Sequence, residues 1–192
     1  YTIATRIRLD GDGAAALVGA LAGGRVSTFG GAVAQNGTLL FDGARSLAVL
    51  VRGLQTPRVA AFDISFDLAL SRPPDSSAGT LPGSLSLLLG ALSNLTAADD
   101  LDDRSVGLVV RFHPTEGVVV FWEGAAVGRC PSPGSNGWIP IRIRSNGTHV
   151  DLWQNGALSL EAAMGPALTL LSGHVPSAWD LGFSSEATGM PH

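Results

Sequence analysis

Between Val106 and Asn155 the chain runs through segments whose apolar residues recur at every second position, the period of a half-buried β-strand. In the run from Val106 to Phe112, Leu108, Val110 and Phe112 fall on one side, with Arg111 and His113 on the other. The run from Val118 to Trp122 is apolar on both faces until Glu123, which suits a strand covered on both sides. The segments from Trp138 to Arg144 and from Thr148 to Trp153 are joined by Ser145-Asn146-Gly147, and Asn-Gly is a strong hairpin signal. A two-residue type I′ loop at Asn146-Gly147 pairs Ile143 with Val150 and Ile141 with Leu152. The same register sets Arg142 opposite Asp151 and Trp153 beside Pro140 on the other face. A sheet with one apolar face needs a second sheet to cover it, so the pattern predicts an all-β, two-sheet antiparallel sandwich.

The chain length of 192 residues suits one such domain, with 1–192 as the expected unit. Apolar residues at 45% and charged residues at 15% argue against disorder. No apolar run approaches the roughly 20 residues of a membrane span, so no membrane insertion by this segment is expected. A net charge of −4 without a basic cluster argues against nucleic acid as a partner. All twelve cations are Arg, which with abundant Ala, Gly and Leu reads as coding bias rather than chemistry.

Asn36, Asn94 and Asn146, three of five Asn residues, stand in Asn-x-Thr sequons where chance would place fewer than one. They are the candidate N-glycosylation sites and imply a secreted or cell-surface glycoprotein. The start at Tyr1 reads as a segment of a larger polypeptide. The single Cys130, among Pro131, Ser132, Pro133 and Gly134, is read as a loop residue. In a secreted protein an odd cysteine is a candidate for an intermolecular or interdomain disulfide, the alternative being a free thiol.

Further strands are expected at Tyr1 to Leu9, around Asp42-Gly43, from Leu85 to Leu89, from Leu158 to Leu171 and from Ala178 to Ser184. The cleanest alternation is Val59 to Leu70, with Phe62, Ile64, Phe66, Leu68 and Leu70 inward and Asp63, Ser65 and Asp67 outward. Ala14 to Ala22 has helix-forming composition, and Gly23 to Gly31 reads as a loop without the glycine spacing of a nucleotide site. Asp99, Asp100, Asp102 and Asp103 concentrate four carboxylates within seven residues. They are read as a solvated loop, with calcium as the alternative and no other cofactor expected.

The segment Trp179-Asp180-Leu181-Gly182-Phe183-Ser184-Ser185-Glu186-Ala187-Thr188-Gly189 resembles the Gly-Phe-Ser-x-x-Thr-Gly run near the end of legume-type lectin domains. The upstream order, with its Phe-rich strand, acidic loop and Trp-initiated hairpin ending Trp153-Gln154-Asn155-Gly156, is similar to the concanavalin A-like lectin/glucanase superfamily, laminin-G-like modules included. The resemblance covers roughly Val59 to His192 and implies a jelly roll. Legume lectins carry acidic calcium and manganese ligands on the strand matching Gly107 to His113. This chain has Arg111 and His113 there, so that metal site does not carry over.

Three functions follow. The first is a non-catalytic structural or interaction module, with neighbouring domains or chains of an extracellular assembly as partners. The second is a carbohydrate-binding adhesive domain, with Trp138, Arg142, His149, Asp151 and Trp153 on one outward face as candidates for binding glycans. The third is a glycoside hydrolase, which needs two carboxyls about 5 to 9.5 Å apart. Glu116, Glu123, Glu161 and Glu186 do not form the Glu-x-Asp-x-x-Glu motif of the glucanases, and Asp63 and Asp67 stand about 13 Å apart on a strand. His113, His149 and His174 lack metal-ligand spacing and are read as surface residues. No enzyme is therefore expected.

Overall fold

The computed structural model describes residues 3–9, 27–35, 38–41, 46–54, 61–70, 84–90, 107–114, 116–134, 137–165 and 179–186. The first seven strands are β1 (Ile3–Leu9), β2 (Ser27–Phe29), β3 (Val33–Gln35), β4 (Thr38–Phe41), β5 (Ser46–Leu54), β6 (Ala61–Leu70) and β7 (Ser84–Gly90). The next seven are β8 (Leu108–His113), β9 (Gly117–Trp122), β10 (Ala125–Cys130), β11 (Ile139–Asn146), β12 (His149–Gln154), β13 (Ala157–Ala163) and β14 (Trp179–Glu186). Two sheets result, one in the order β13-β12-β11-β6-β1-β4-β3 and the other β10-β9-β8-β7-β14-β5-β2, with antiparallel neighbours. The chain crosses repeatedly between them, which is the jelly-roll form of the expected sandwich. Among the described residues no helix is long and apolar enough to cross a membrane.

Alternation explains why the first sheet buries one face only. Along β6, Ile64, Phe66, Leu68 and Leu70 are buried while Asp63, Ser65 and Asp67 are partly exposed. β11 follows the same rule, with Ile139, Ile141 and Ile143 inward and Pro140, Arg142 and Arg144 outward. Each fully buried aliphatic or Phe side chain contributes about 1.5–3 kcal/mol of transfer free energy. The second sheet is buried on both faces in its centre: every residue of β7 is buried, and so are Val109 and Val119. Phe66 of the first sheet joins them edge-on to Phe112 and Phe183 of the second, at 5.9 and 5.2 Å between ring centroids. The open, polar face of the molecule in these strands is thus the outer face of the first sheet.

The hairpin register differs from the expected one. Ile143 pairs with Leu152, Arg142 with Trp153 and Arg144 with Asp151, a slip of two residues that preserves which face each side chain occupies. Arg142 therefore does not face Asp151, and Trp153 is not beside Pro140. Gly147 alone carries a positive φ in this turn, 91°, as the first central residue of a type II′ loop requires. The Ser145 hydroxyl accepts from the Gly147 N–H at 3.0 Å, and Asn146 Oδ1 accepts from the Thr148 and His149 N–H groups, both at 2.9 Å. Those side-chain bonds satisfy the turn amides and fix the loop one step further along. The type I′ geometry instead occurs at Glu123-Gly124 (φ 48° and 80°) and Asn155-Gly156 (53° and 78°).

Three other expectations change. Ser27–Phe29 within the glycine-rich stretch is a strand, held by pairing with β5. Cys130 is not in a loop: it is the buried last residue of β10, paired with Val118. His113 is buried rather than on the surface, because its Nδ1 accepts the Glu116 N–H at 3.0 Å and closes the β8–β9 turn. The Ala14 to Ala22 segment, read as a short helix or a loop, lies outside the described residues, as do His174, Asn36, Asn94 and the acidic run at Asp99, Asp100, Asp102 and Asp103.

Candidate functional site

The outer face of the first sheet is built by three neighbouring strands, β6, β11 and β12, with β13 at the edge. Register places Trp153, Arg142 and Ser65 in one row across the strands, and Glu161, Asp151, Arg144 and Asp63 in the next. Arg142 reaches diagonally to Asp63: its Nε donates to Oδ1 at 2.9 Å and its Nη2 to Oδ2, a two-pronged pair. The same guanidinium lies over the Trp153 ring, 5.5 Å from its centroid. One Arg thus clamps an indole on one side and a carboxylate on the other, which fixes both against the sheet.

The Arg142 hydrogen bonds hold the Asp63 carboxyl below the usual carboxylate range against partial burial, and the charges of Arg142 and Arg144 add to the effect. A depressed carboxylate stabilises the fold above its unfolded pKa, near 3.9, and that contribution is lost as pH falls through the folded value. The pair is half exposed, so its worth is about 0.2–1 kcal/mol. Asp63→Asn is therefore expected to lower the urea midpoint measurably at pH ~7 and to match the parent once the pH has fallen below the folded pKa of Asp63. An equal gap at both pH values would mean that the charge of Asp63 contributes nothing.

Of the expected glycan-binding residues, Trp138, Arg142, His149, Asp151 and Trp153 do share this face, yet they do not converge. Arg142 and Trp153 are in contact, and Asp151 is the next outward residue along β12. Trp138 stands four residues before Arg142, about 13 Å along the strand, and is 50% exposed. His149 lies at the opposite hairpin tip, about 26 Å from the Trp138 end. Sequence reasoning left Asp63, Arg144 and Glu161 out of the group. The alternation of β6 turns Asp63 outward, but nothing local says that β6 runs beside β11.

The rim near Trp138 ties the sheets together. Gln154 Nε2 donates to the Pro131 carbonyl at 3.1 Å and stands 3.1 Å from Cys130 Sγ. Burial pushes the Cys130 thiol up, against the lowering effect of Gln154, which works against a thiolate and hence against bridge formation. Asp151 and Glu161 are cross-strand neighbours, with Glu161 exposed and Asp151 partly exposed. Among the described residues no group of three or more His, Cys, Asp or Glu could hold a metal ion.

No protein-family model and no curated protein sequence matches the chain. Solved structures do. The carbohydrate-binding module CBM66 from Bacillus subtilis is 11% identical, with 84% of this chain and 90% of that one covered at a TM-score of 0.51. Lectin I-B4 from Griffonia simplicifolia, in its metal-free form, is 14% identical over 86% of both chains at 0.45. A Bacillus subtilis protein of unknown function with a galectin-like fold is 13% identical, with 84% and 83% covered at 0.44. At 11% identity the likeness to the carbohydrate-binding module is one of fold, a jelly-roll sandwich.

Proposed function

We propose that this protein is a non-catalytic carbohydrate-binding module that acts outside the cell and binds glycans on the outer face of its first sheet. The observation that carries the reading is the Trp153–Arg142–Asp63 constellation with the half-exposed Trp138 further along the same face. Indole faces pack on the C–H faces of sugar rings, while a clamped guanidinium and carboxylate offer donors and acceptors to hydroxyls without paying to be ordered on binding. The sharing of a fold with a carbohydrate-binding module supports the coarse kind of function.

Trp138→Ala is expected to weaken glycan binding by roughly thirtyfold, the loss of about 2 kcal/mol typical of an aromatic anchor. Titration against the strongest glycan from an array, with calcium and then with chelator, measures it. Trp153→Ala should weaken the same titration and also release Arg142. If no glycan binds the parent protein, or neither Trp variant changes the affinity, the reading fails.

One observation favours a second reading, a structural or interaction module. Leu158 is 53% exposed and pairs with Trp153, so the apolar area extends past the indole to the sheet edge. Leu158→Ser separates the two: it leaves sugar affinity unchanged under the first reading and abolishes docking of a neighbouring domain under the second.

A further inference from the structure

We infer that Asn146 is an occupied N-glycosylation site, and that its glycan covers the His149 end of the outer face while leaving the Trp138 end open. Asn146 sits at the exposed tip of the β11–β12 hairpin. Its Oδ1 accepts three hydrogen bonds, from the Thr148 N–H at 2.9 Å, the His149 N–H at 2.9 Å and the Thr148 hydroxyl at 3.0 Å. Three donors converging on one atom identify it as the oxygen and not the nitrogen of the amide. Nδ2 is therefore turned away from the turn amides, and no hydrogen bond from it is formed among the described residues. The sequon hydroxyl of Thr148 already lies on the acceptor amide.

Attachment at Nδ2 leaves the turn intact, because every bond that Asn146 gives the turn is accepted at Oδ1 and the Gly147 N–H goes to the Ser145 hydroxyl. In the transfer, Nδ2 attacks the anomeric carbon of a lipid-pyrophosphate-linked oligosaccharide. The C–N bond forms, the glycosyl–phosphate bond breaks with the lipid pyrophosphate leaving, and one Nδ2 proton passes to solvent. The molecule contains its own comparison. Asn155-Gly156 is also an exposed hairpin tip, but the residue after Gly156 is Ala157, which has no hydroxyl. Position sets the consequence: the glycan adjoins His149 and lies about 26 Å from Trp138. His149 is then shielded and drops out of the sugar-binding group, whereas Trp138, Arg142 and Trp153 remain accessible.

The test is secretion of the 192-residue chain from a eukaryotic host, followed by peptide mapping after enzymatic glycan release in heavy-oxygen water. Heavy oxygen at residue 146 marks a former glycan only where it appears with the releasing enzyme and not in a parallel incubation without it, because spontaneous deamidation of the Asn-Gly pair takes up heavy oxygen in both. The expected result is heavy oxygen at Asn146 and none at Asn155, retained in Thr148→Ser and lost in Thr148→Ala. Secreted, folded protein with Asn146 unmodified overturns the site. Heavy oxygen at Asn146 together with Trp138-dependent sugar binding that falls more than threefold when the glycan is present overturns the claim that the Trp138 end stays open.

Discussion

Gly117→Ala is expected to lower stability by about 2–5 kcal/mol, whereas Gly134→Ala should lose only about 1–2 kcal/mol. The two glycines have nearly the same backbone, φ +97° and +96°, so an alanine pays a similar conformational penalty at each. Their surroundings differ. A Cβ at Gly117 would stand 2.4 Å from the Cys130 carbonyl oxygen and 3.4 Å from the Ser132 nitrogen, both backbone atoms, while a Cβ at Gly134 meets nothing within 4 Å. Gly117 opens β9 after the turn that His113 closes, and β10 pairs alongside it through Cys130 and Val118. Relief of the clash would require moving β10 away from β9, which breaks the pairing at that end and uncovers Val118. Overpacking against backbone costs at least the 1–3 kcal/mol seen when side chains can adjust, on top of the conformational term. The total, about 2–5 kcal/mol, is a large share of the roughly 5–15 kcal/mol that holds a domain of this kind together. Urea unfolding of the pair measures the steric part directly as a difference. Equal midpoints for the two variants would show that β9 and β10 do not meet at Cys130.

The same hairpins show what the sequence discloses and what it withholds. Strand identity is local, because alternation of Ile139, Ile141 and Ile143 with Pro140, Arg142 and Arg144 can be read without knowing any partner. Register is not. A slip of two residues between β11 and β12 keeps every apolar side chain inward, so the pattern accepts either alignment, and the turn decides. There the side chains of Ser145 and Asn146 capture the turn amides and move the loop on, while the Asn-Gly of the next hairpin, Asn155-Gly156, takes the type I′ form. β10 is not legible in the sequence because Ala125, Ala126 and Gly128 carry no apolar alternation; it is a strand because β9 pairs with it. Small residues are needed there, since a Cβ on Gly128 would lie 3.0 Å from the Ala162 Cβ on β13. The candidate site was half legible for a related reason. Trp153 and Arg142 belong to one hairpin, but Asp63 is separated from Arg142 by 79 residues, and only the neighbourhood of β6 and β11 brings them together.

Phe66→Ala is expected to cost about 3–5 kcal/mol, the second large effect, and to act on both sheets at once. Phe66 is 2% exposed in the middle of β6, which pairs with β1 on one side and β11 on the other. Its ring stands edge-on to Phe112 of β8 and Phe183 of β14, with interplanar angles of 90° and 82°. Edge-to-face pairs each add about 0.5–1.5 kcal/mol beyond area burial, so truncation removes two such contacts and leaves a cavity between sheets whose backbones are held by their own hydrogen bonds. A sandwich cannot close that gap by rotating one side chain, because Ile64 and Leu68 beside it are already packed. A change at the surface calibrates the result: Val33, 51% exposed at the edge of the first sheet, should shift stability by no more than about 0.5 kcal/mol when cut to Ala. Urea unfolding at one pH gives both values from midpoints with an unchanged slope. A loss below about 1 kcal/mol for Phe66→Ala would mean the two sheets do not pack through this ring. In that case the outer face carrying Trp138, Arg142 and Trp153 would lack the rigid backing that a pre-ordered glycan site requires.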